Sequence, residues 1–418
     1  MSPAEMKRSV GEVLGPGLVT GAADDDPSGI GTYSQVGAQF GFGLAWTMFF
    51  GFPLLASIQA ICARIGATTG RGIAQNLRQH YPPAVLRVVV VLLLIANVIN
   101  LGADLGAMGA ALALLLPGKA LVYTVCFGVV SVLLEVFLSY DRYARILKWT
   151  TLSLFSYVGV VFVAEVPWGT AVYDILVPRF TLDREHAMAL VAIFGTTISP
   201  YLFFWQAGQE VEEQHRRHIK PLHVSPRSAG PELRRIRTDT IVGMGFSHLV
   251  ALFIIVATAA TLHANGVRDI ASAAQAAEAL RPIAGDLAFA LFAIGIIGTG
   301  LLAVPILAGS AAYAVSETFG WVEGLDRKPR EAKAFYAVIA LATAGGIALN
   351  FIGIDPMKAL YWAAVVNGLL APPLMVVTML IARNRAVMGE LAISRRLAFW
   401  GWLSTAVMWL VAGTFLLS

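Results

Sequence analysis

The chain has 418 residues, 57% of them hydrophobic and 13% charged, with a formal net charge of +4 and a mean hydropathy of +0.71. A soluble enzyme of this size would need a charged surface around its core, so the composition excludes one and describes a polytopic membrane protein. Two isolated cysteines, Cys62 and Cys126, form neither a zinc site nor a disulfide scaffold, and the small basic excess sits in loops, where it addresses lipid headgroups and not nucleic acid.

In chain order, residues 1–11 read as a cytoplasmic tail without a cleavable signal peptide. Apolar runs follow at 12–38, 43–63, 85–112, 120–138 and 148–166, a first five-helix repeat over 12–166. Further runs at 187–209, 239–262, 284–314, 335–350 and 357–382 make a second repeat over 187–382, interrupted by a polar linker at 212–237, and 397–417 is one additional C-terminal helix. The reading is therefore all-α, with about eleven spans. Of the 30 Lys and Arg residues, only Lys119, Arg179, Arg184, Arg268, Arg281 and Lys358 fall on one side of that arrangement and 24 on the other. The positive-inside rule then places the chain in the inner (plasma) membrane with a cytoplasmic N-terminus and an external C-terminus.

The first run contains "GAADDDPSGIG" and the sixth "FGTTISPYLFF". Carboxylates, Pro and Gly are costly in a spanning helix, so both are expected to be broken, with the unwound backbone facing the interior. They occupy corresponding places in the two repeats, as in inverted-repeat transporters whose substrate sits at the midplane. Asp26, immediately before Pro27, is the first choice as an ion ligand. Asp25 joins it as a candidate, or with Asp24 lines the vestibule, pairs internally or carries a proton. Released carbonyls and the hydroxyls of Thr196, Thr197 and Ser199 complete an all-oxygen environment suited to a hard or intermediate divalent cation. A secondary transporter of a small organic solute is the competing reading, since helix N-termini at the breaks would receive a carboxylate.

Asn97, Asn100 and Asp104 share one face of the third span, either along a polar path or in interhelical hydrogen bonds. Gln206 and Glu210 lie below the second break, at an inner exit or on a surface. Glu135 and Asp141 are expected to pair with Arg142 or Arg145, and His248 and Asn367 to be packing residues. His215, His218 and His223 belong to a solvated linker, not a metal cluster. No Walker, dinucleotide or hydrolase motif accompanies them, so neither an enzyme nor a cofactor is expected. The oligomeric state is left open.

"GPGLVTGAADDDPSG" resembles the first-helix pattern of the NRAMP family of divalent-metal transporters, with its Gly-Pro-Gly opening and Asp-Pro-Gly-Asn, and "FGTTISP" resembles the sixth-helix segment ending Met-Pro-His. The resemblance covers about residues 11 to 382 and implies the LeuT-like fold with discontinuous helices 1 and 6. It also implies metal binding at Asp26 and a role in proton movement for Asp104. The family's Asn falls at Gly29, its Met at Ser199, its His at Tyr201, a third-span Glu at Ala107 and a tenth-span Gln at Leu370. Such a site resembles the NRAMP-related magnesium-transporting branch. It leans toward Mg²⁺ with Mn²⁺ tolerated and with weak or absent proton coupling, since Mg²⁺ keeps several waters and needs few protein ligands.

Overall fold

The computed structural model describes residues 15–137, 153–179, 181, 183–325 and 327–418, and every regular element among them is helical. Helices α1 (Pro16–Asp24) and α2 (Pro27–Phe40) are the halves of the first run, followed by α3 (Trp46–Thr69), α4 (Ile73–His80), α5 (Pro83–Ala113) and α6 (Ala120–Phe137). Helices α7 (Phe155–Val163) and α8 (Trp168–Leu176) close the first half of the chain. The second half begins again with a pair, α9 (Arg184–Thr197) and α10 (Pro200–Arg216), then α11 (Ala229–Thr258), α12 (Ala273–Glu278) and α13 (Arg281–Ala284). Helices α14 (Ala288–Phe319), α15 (Lys333–Leu349), α16 (Pro356–Arg383), α17 (Arg385–Met388) and α18 (Arg395–Leu417) complete it. Among the described residues nine segments are long and apolar enough to cross a membrane, α9 with α10 being one of them. The two halves of the first run are each too short to be counted there, and the fifth run is only partly described. The expected partners of Glu135 and Asp141, Arg142 and Arg145, lie outside the described residues, as does Asp141 itself.

Proline alone does not break these helices. Pro53, Pro305, Pro372 and Pro373 lie inside α3, α14 and α16, which continue through them. At the two breaks the residue before the proline is extended, Asp26 at φ −70°, ψ 171° and Ser199 at φ −72°, ψ 131°, so each proline becomes the first residue of a new half. Proline suits that position because its missing N–H would be unpaired there anyway. The breaks therefore have the same construction, 173 residues apart as counted from Pro27 to Pro200.

The segment expected as a solvated linker, 212–237, is helical at both ends, because α10 runs on to Arg216 and α11 starts at Ala229. Ion pairs one turn apart, Arg216 to Glu213 at 3.0 Å and Arg235 to Glu232 at 2.9 Å, support charged helix beyond the apolar stretch. Within the connection, His223 Nδ1 lies 2.6 Å from the Thr68 carbonyl and docks the loop on the end of α3.

Glycines set the closest helix contacts. A Cβ at Gly21 would overlap the Gly243 backbone, one at Gly195 the Ala364 carbonyl, and one at Gly66 the Ala207 carbonyl. These positions bring α1 onto α11, α9 onto α16 and α3 onto α10 at backbone distance, the small-residue packing that replaces the hydrophobic effect between helices in lipid. The core beside the breaks is aromatic, with Tyr33, Tyr201, Phe203, Phe204 and Trp205 all buried. The outer surface carries apolar groups such as Phe137, Phe162, Leu341 and Leu410, as a bilayer requires. Cys62 is buried and Cys126 exposed, 64 residues apart in sequence and unbonded.

Candidate metal centre at the helix breaks

The Asp26 side chain starts α2. Its Oδ1 accepts the Gly29 N–H at 2.6 Å, an N-cap that satisfies one of the amides a helix start leaves unpaired. Its Oδ2 accepts the Tyr201 hydroxyl at 3.1 Å, and that hydroxyl also stands 3.3 Å from the Ala23 carbonyl oxygen at the end of α1. One phenol thus joins the two breaks. Asp104 of α5 closes the third side, its Oδ1 accepting the Ser28 N–H at 3.2 Å. Its Oδ2 has no hydrogen-bond partner. Asp26, Asp104 and Tyr201 are all buried, so two carboxylates and a phenol meet where α1, α2, α5 and α10 converge.

The other aspartates of the triplet turn elsewhere. Ser247 Oγ of α11 stands 2.7 Å from Asp24 Oδ2 and 3.2 Å from Asp25 Oδ1, a partner that Asp26 does not share. Asp24 and Asp25 are nonetheless buried, and Asp24 Oδ1 is unpartnered. At the second break Thr197 Oγ1 donates to the Ile193 carbonyl at 3.0 Å. Ser199 Oγ lies 2.9 Å from the Gly195 and 2.8 Å from the Thr196 carbonyl oxygen. The Ser199 hydroxyl thus serves carbonyls that the end of α9 leaves unpaired, while Thr197 bonds back one turn within the helix, and each hydroxyl presents its oxygen lone pairs to a cation. Thr196 is buried at the same break. Gly29 is filled on three sides: a Cβ there would stand 3.2 Å from the Asp24 carbonyl, 3.3 Å from the Tyr33 ring and 3.5 Å from Asp26 Oδ1.

Among the described residues no three His, Cys, Asp or Glu side chains converge as a ready-made metal cage. The donors at the break are the Asp26 and Asp104 carboxylates with carbonyl and hydroxyl oxygens, an all-oxygen set of the kind that suits hard or intermediate divalent cations.

Asn97, on the third span, donates to the Leu307 carbonyl at 2.9 Å, an interhelical bond to α14. Asn100 is buried with neither amide atom hydrogen-bonded, one turn from Asp104. Below the second break Thr20 Oγ1 lies 2.5 Å from Gln206 Oε1, and Glu210 pairs with Arg235 at 2.5 Å. Both are buried, so neither Gln206 nor Glu210 has a surface role. His248 is buried 5.8 Å from the Phe52 ring, and neither of its ring nitrogens is hydrogen-bonded, so it is not the satisfied packing residue expected. Ala107 and Asn367 are buried and Leu370 partly so. Sequence reasoning missed Ser247, Arg235 and Asp239, all on α11. The charges at 235 and 239, four apart where an apolar run begins, were the available signal.

A family model described as natural resistance-associated macrophage protein-like, Nramp, matches residues 17–418. The divalent metal cation transporter MntH of Acidiphilium cryptum is 26% identical over 397 residues, covering 91% of this chain and 84% of the relative. That of Klebsiella pneumoniae strain 342 is 25% identical, covering 97% and 94%. Among solved structures, the Eremococcus coleocola manganese transporter superimposes with a TM-score of 0.75 over 99% of this chain and 87% of its own at 15% identity. Mhp1, a nucleobase-cation-symport-1 family transporter with bromovinylhydantoin bound, gives 0.62 over 100% and 94% at 15% identity.

Proposed function

The chain belongs to the Nramp family, whose members are metal transporters and not enzymes, and from that premise we propose that it carries divalent metal cations across the membrane. The substrate is bound between the breaks of α1/α2 and α9/α10 and passed on by alternating access. The observation that carries this reading is Asp26: a buried carboxylate at the first break, in contact with the second through Tyr201. A buried charge in a spanning region is expensive, and an ion pathway is its ordinary reason. The fold alone does not decide the cargo, because the Mhp1 structure with an organic ligand shares it.

Mg²⁺ is favoured, with Mn²⁺ tolerated. Gly29 offers no amide oxygen, and a side chain there would crowd the Asp24 carbonyl and the Tyr33 ring, and Ser199 offers no sulfur, so soft-metal preference is lost while water stays on the ion. Tyr201 and Ala107 provide neither imidazole nor carboxylate for a proton, and coupling is weak or absent. A membrane potential, worth about 2.3 kcal/mol per charge per 100 mV, then drives a divalent cation inward. The chain sits in the plasma membrane with its N-terminus cytoplasmic.

The test is flux into proteoliposomes across a panel of divalent ions, with internal metal and pH dyes and an imposed potential. Metal entry without acidification is the expected result. Stoichiometric acidification would refute the uncoupled mechanism. Absence of any divalent flux beside saturable uptake of an organic solute would refute the metal reading.

A further inference from the structure

We infer that Asp239 is a positioning residue of the transport cycle, a latch that holds α1 against α11 and keeps the inner end of the pathway shut. This rests on reading the broken helices as the transport path, with the face carrying the N-terminus called inner.

The "GPG" at the start of α1 is the receptor for that carboxylate. Asp239 Oδ1 accepts the Gly15 N–H at 2.9 Å and the Leu18 N–H at 3.1 Å, and Oδ2 accepts the Gly17 N–H at 2.7 Å. Pro16 has no N–H, so the Gly15 and Gly17 N–H groups are the amides that the helix start would otherwise leave bare, while the Leu18 N–H is shared with the Gly15 carbonyl at 3.2 Å; all three lie 221 to 224 residues from Asp239 in sequence. The contact demands glycine: a Cβ at Gly17 would stand 2.9 Å from Oδ2 and 2.8 Å from the Thr240 amide nitrogen. The helix dipole adds to the attraction, since the N-terminal end of α1 is positive.

The latch reaches the other broken helix. Arg235, one turn before Asp239, lies 3.9 Å from Oδ2, pairs with Glu232 at 2.9 Å and with Glu210 of α10 at 2.5 Å. Thr20 of α1 meets Gln206 of α10 at 2.5 Å, one turn nearer the break. One short stretch of α11 therefore ties the inner halves of both broken helices together. The outer half of the first helix is held mainly by neutral bonds, Gln35 to the Arg268 carbonyl at 3.2 Å and the Ile270 N–H at 2.9 Å, and His263 Nδ1 to the Ala38 carbonyl at 2.8 Å. Its carboxylate contacts are a single exposed bond from Gln39 to Glu185 at 3.3 Å and, at the break, the Ser28 N–H to Asp104 at 3.2 Å. Charge-assisted bonds are about twice as strong as neutral ones, so without substrate the inner end is the more firmly closed.

The test places a reporter cysteine at Ala23, buried in the last turn of α1, in a Cys62→Ser, Cys126→Ser background, and measures its rate of modification by an impermeant maleimide from each face of oriented vesicles. Asp239→Asn leaves one acceptor oxygen for three amides and removes the charge facing Arg235. Gly17→Ala keeps the carboxylate and wedges the helix off it. Both should raise the rate from the inner face by roughly tenfold and lower it from the outer face. Simple destabilisation would raise it from both. An unchanged inner rate in the folded variants, or an equal rise from both faces, would overturn the latch. If Asp239→Asn fails to fold, Gly17→Ala decides by the same criteria. The readout needs no metal, so failure of the flux assay and failure of the latch are separate results.

Discussion

Replacing Asp26 by Asn tests whether one carboxylate holds the cargo. Two unit charges about 4 Å apart at an effective dielectric of 20 interact by about 4 kcal/mol, so a divalent ion held by Asp26 across one water gains about 8 kcal/mol. Stripping water from ion and carboxylate offsets much of this. If a third survives, about 2.7 kcal/mol, the substitution weakens binding about a hundredfold. The fold should tolerate it, since Asn caps a helix as well as Asp and keeps an oxygen for the Gly29 N–H now bonded at 2.6 Å. Titration calorimetry on purified protein with Mg²⁺ and Mn²⁺ measures the loss, and a thermal melt within a few degrees of the parent checks the fold. Asp25→Asn is the comparison, because Asp25 faces Ser247 and not the Tyr201 side of the break. Unchanged affinity in Asp26→Asn, or an equal loss in both variants, would refute the reasoning.

Ser199→Met puts a thioether at the second break and should raise Cd²⁺ affinity relative to Mg²⁺ by about tenfold in the same calorimetry, the direction set by ligand softness. Burial, then the Glu317 and Glu212 carboxylates, against a smaller opposing effect of Arg78, push the Glu323 carboxyl in the loop after α14 up to about 9. The folded state therefore keeps a proton there that the unfolded chain loses, so stability is complete below the ordinary carboxylate range and falls as pH rises toward 9. Glu323→Gln should remove that slope, reducing the loss of Tm between pH 5 and 9 by roughly 2 °C in a melting series. Cysteines introduced at Ser225 and Ile175 should label from opposite faces of intact membranes, and labelling from one face would defeat the topology.

Composition and apolar period sufficed for the all-helical membrane fold, because a spanning segment must satisfy its backbone internally and writes its length in apolar residues. The breaks were legible for the same reason, since Asp26 with Pro27 and Ser199 with Pro200 violate what an uninterrupted span permits. Even so, Pro305 and Pro372 lie in continuous helices, and the extended residue before Pro27 and Pro200 is what separates a break from an embedded proline. Tertiary structure alone decided the partners. Asp26 meets Tyr201 across 175 residues, Asp24 and Asp25 turn to Ser247 across 223 and 222, and Asp239 finds the amides of α1 across more than 220. Nothing local links these groups. A carboxylate in an apolar stretch announces that it must be paired, but which donor reaches it depends on how closely glycines such as Gly17 and Gly21 let one helix backbone lie against another.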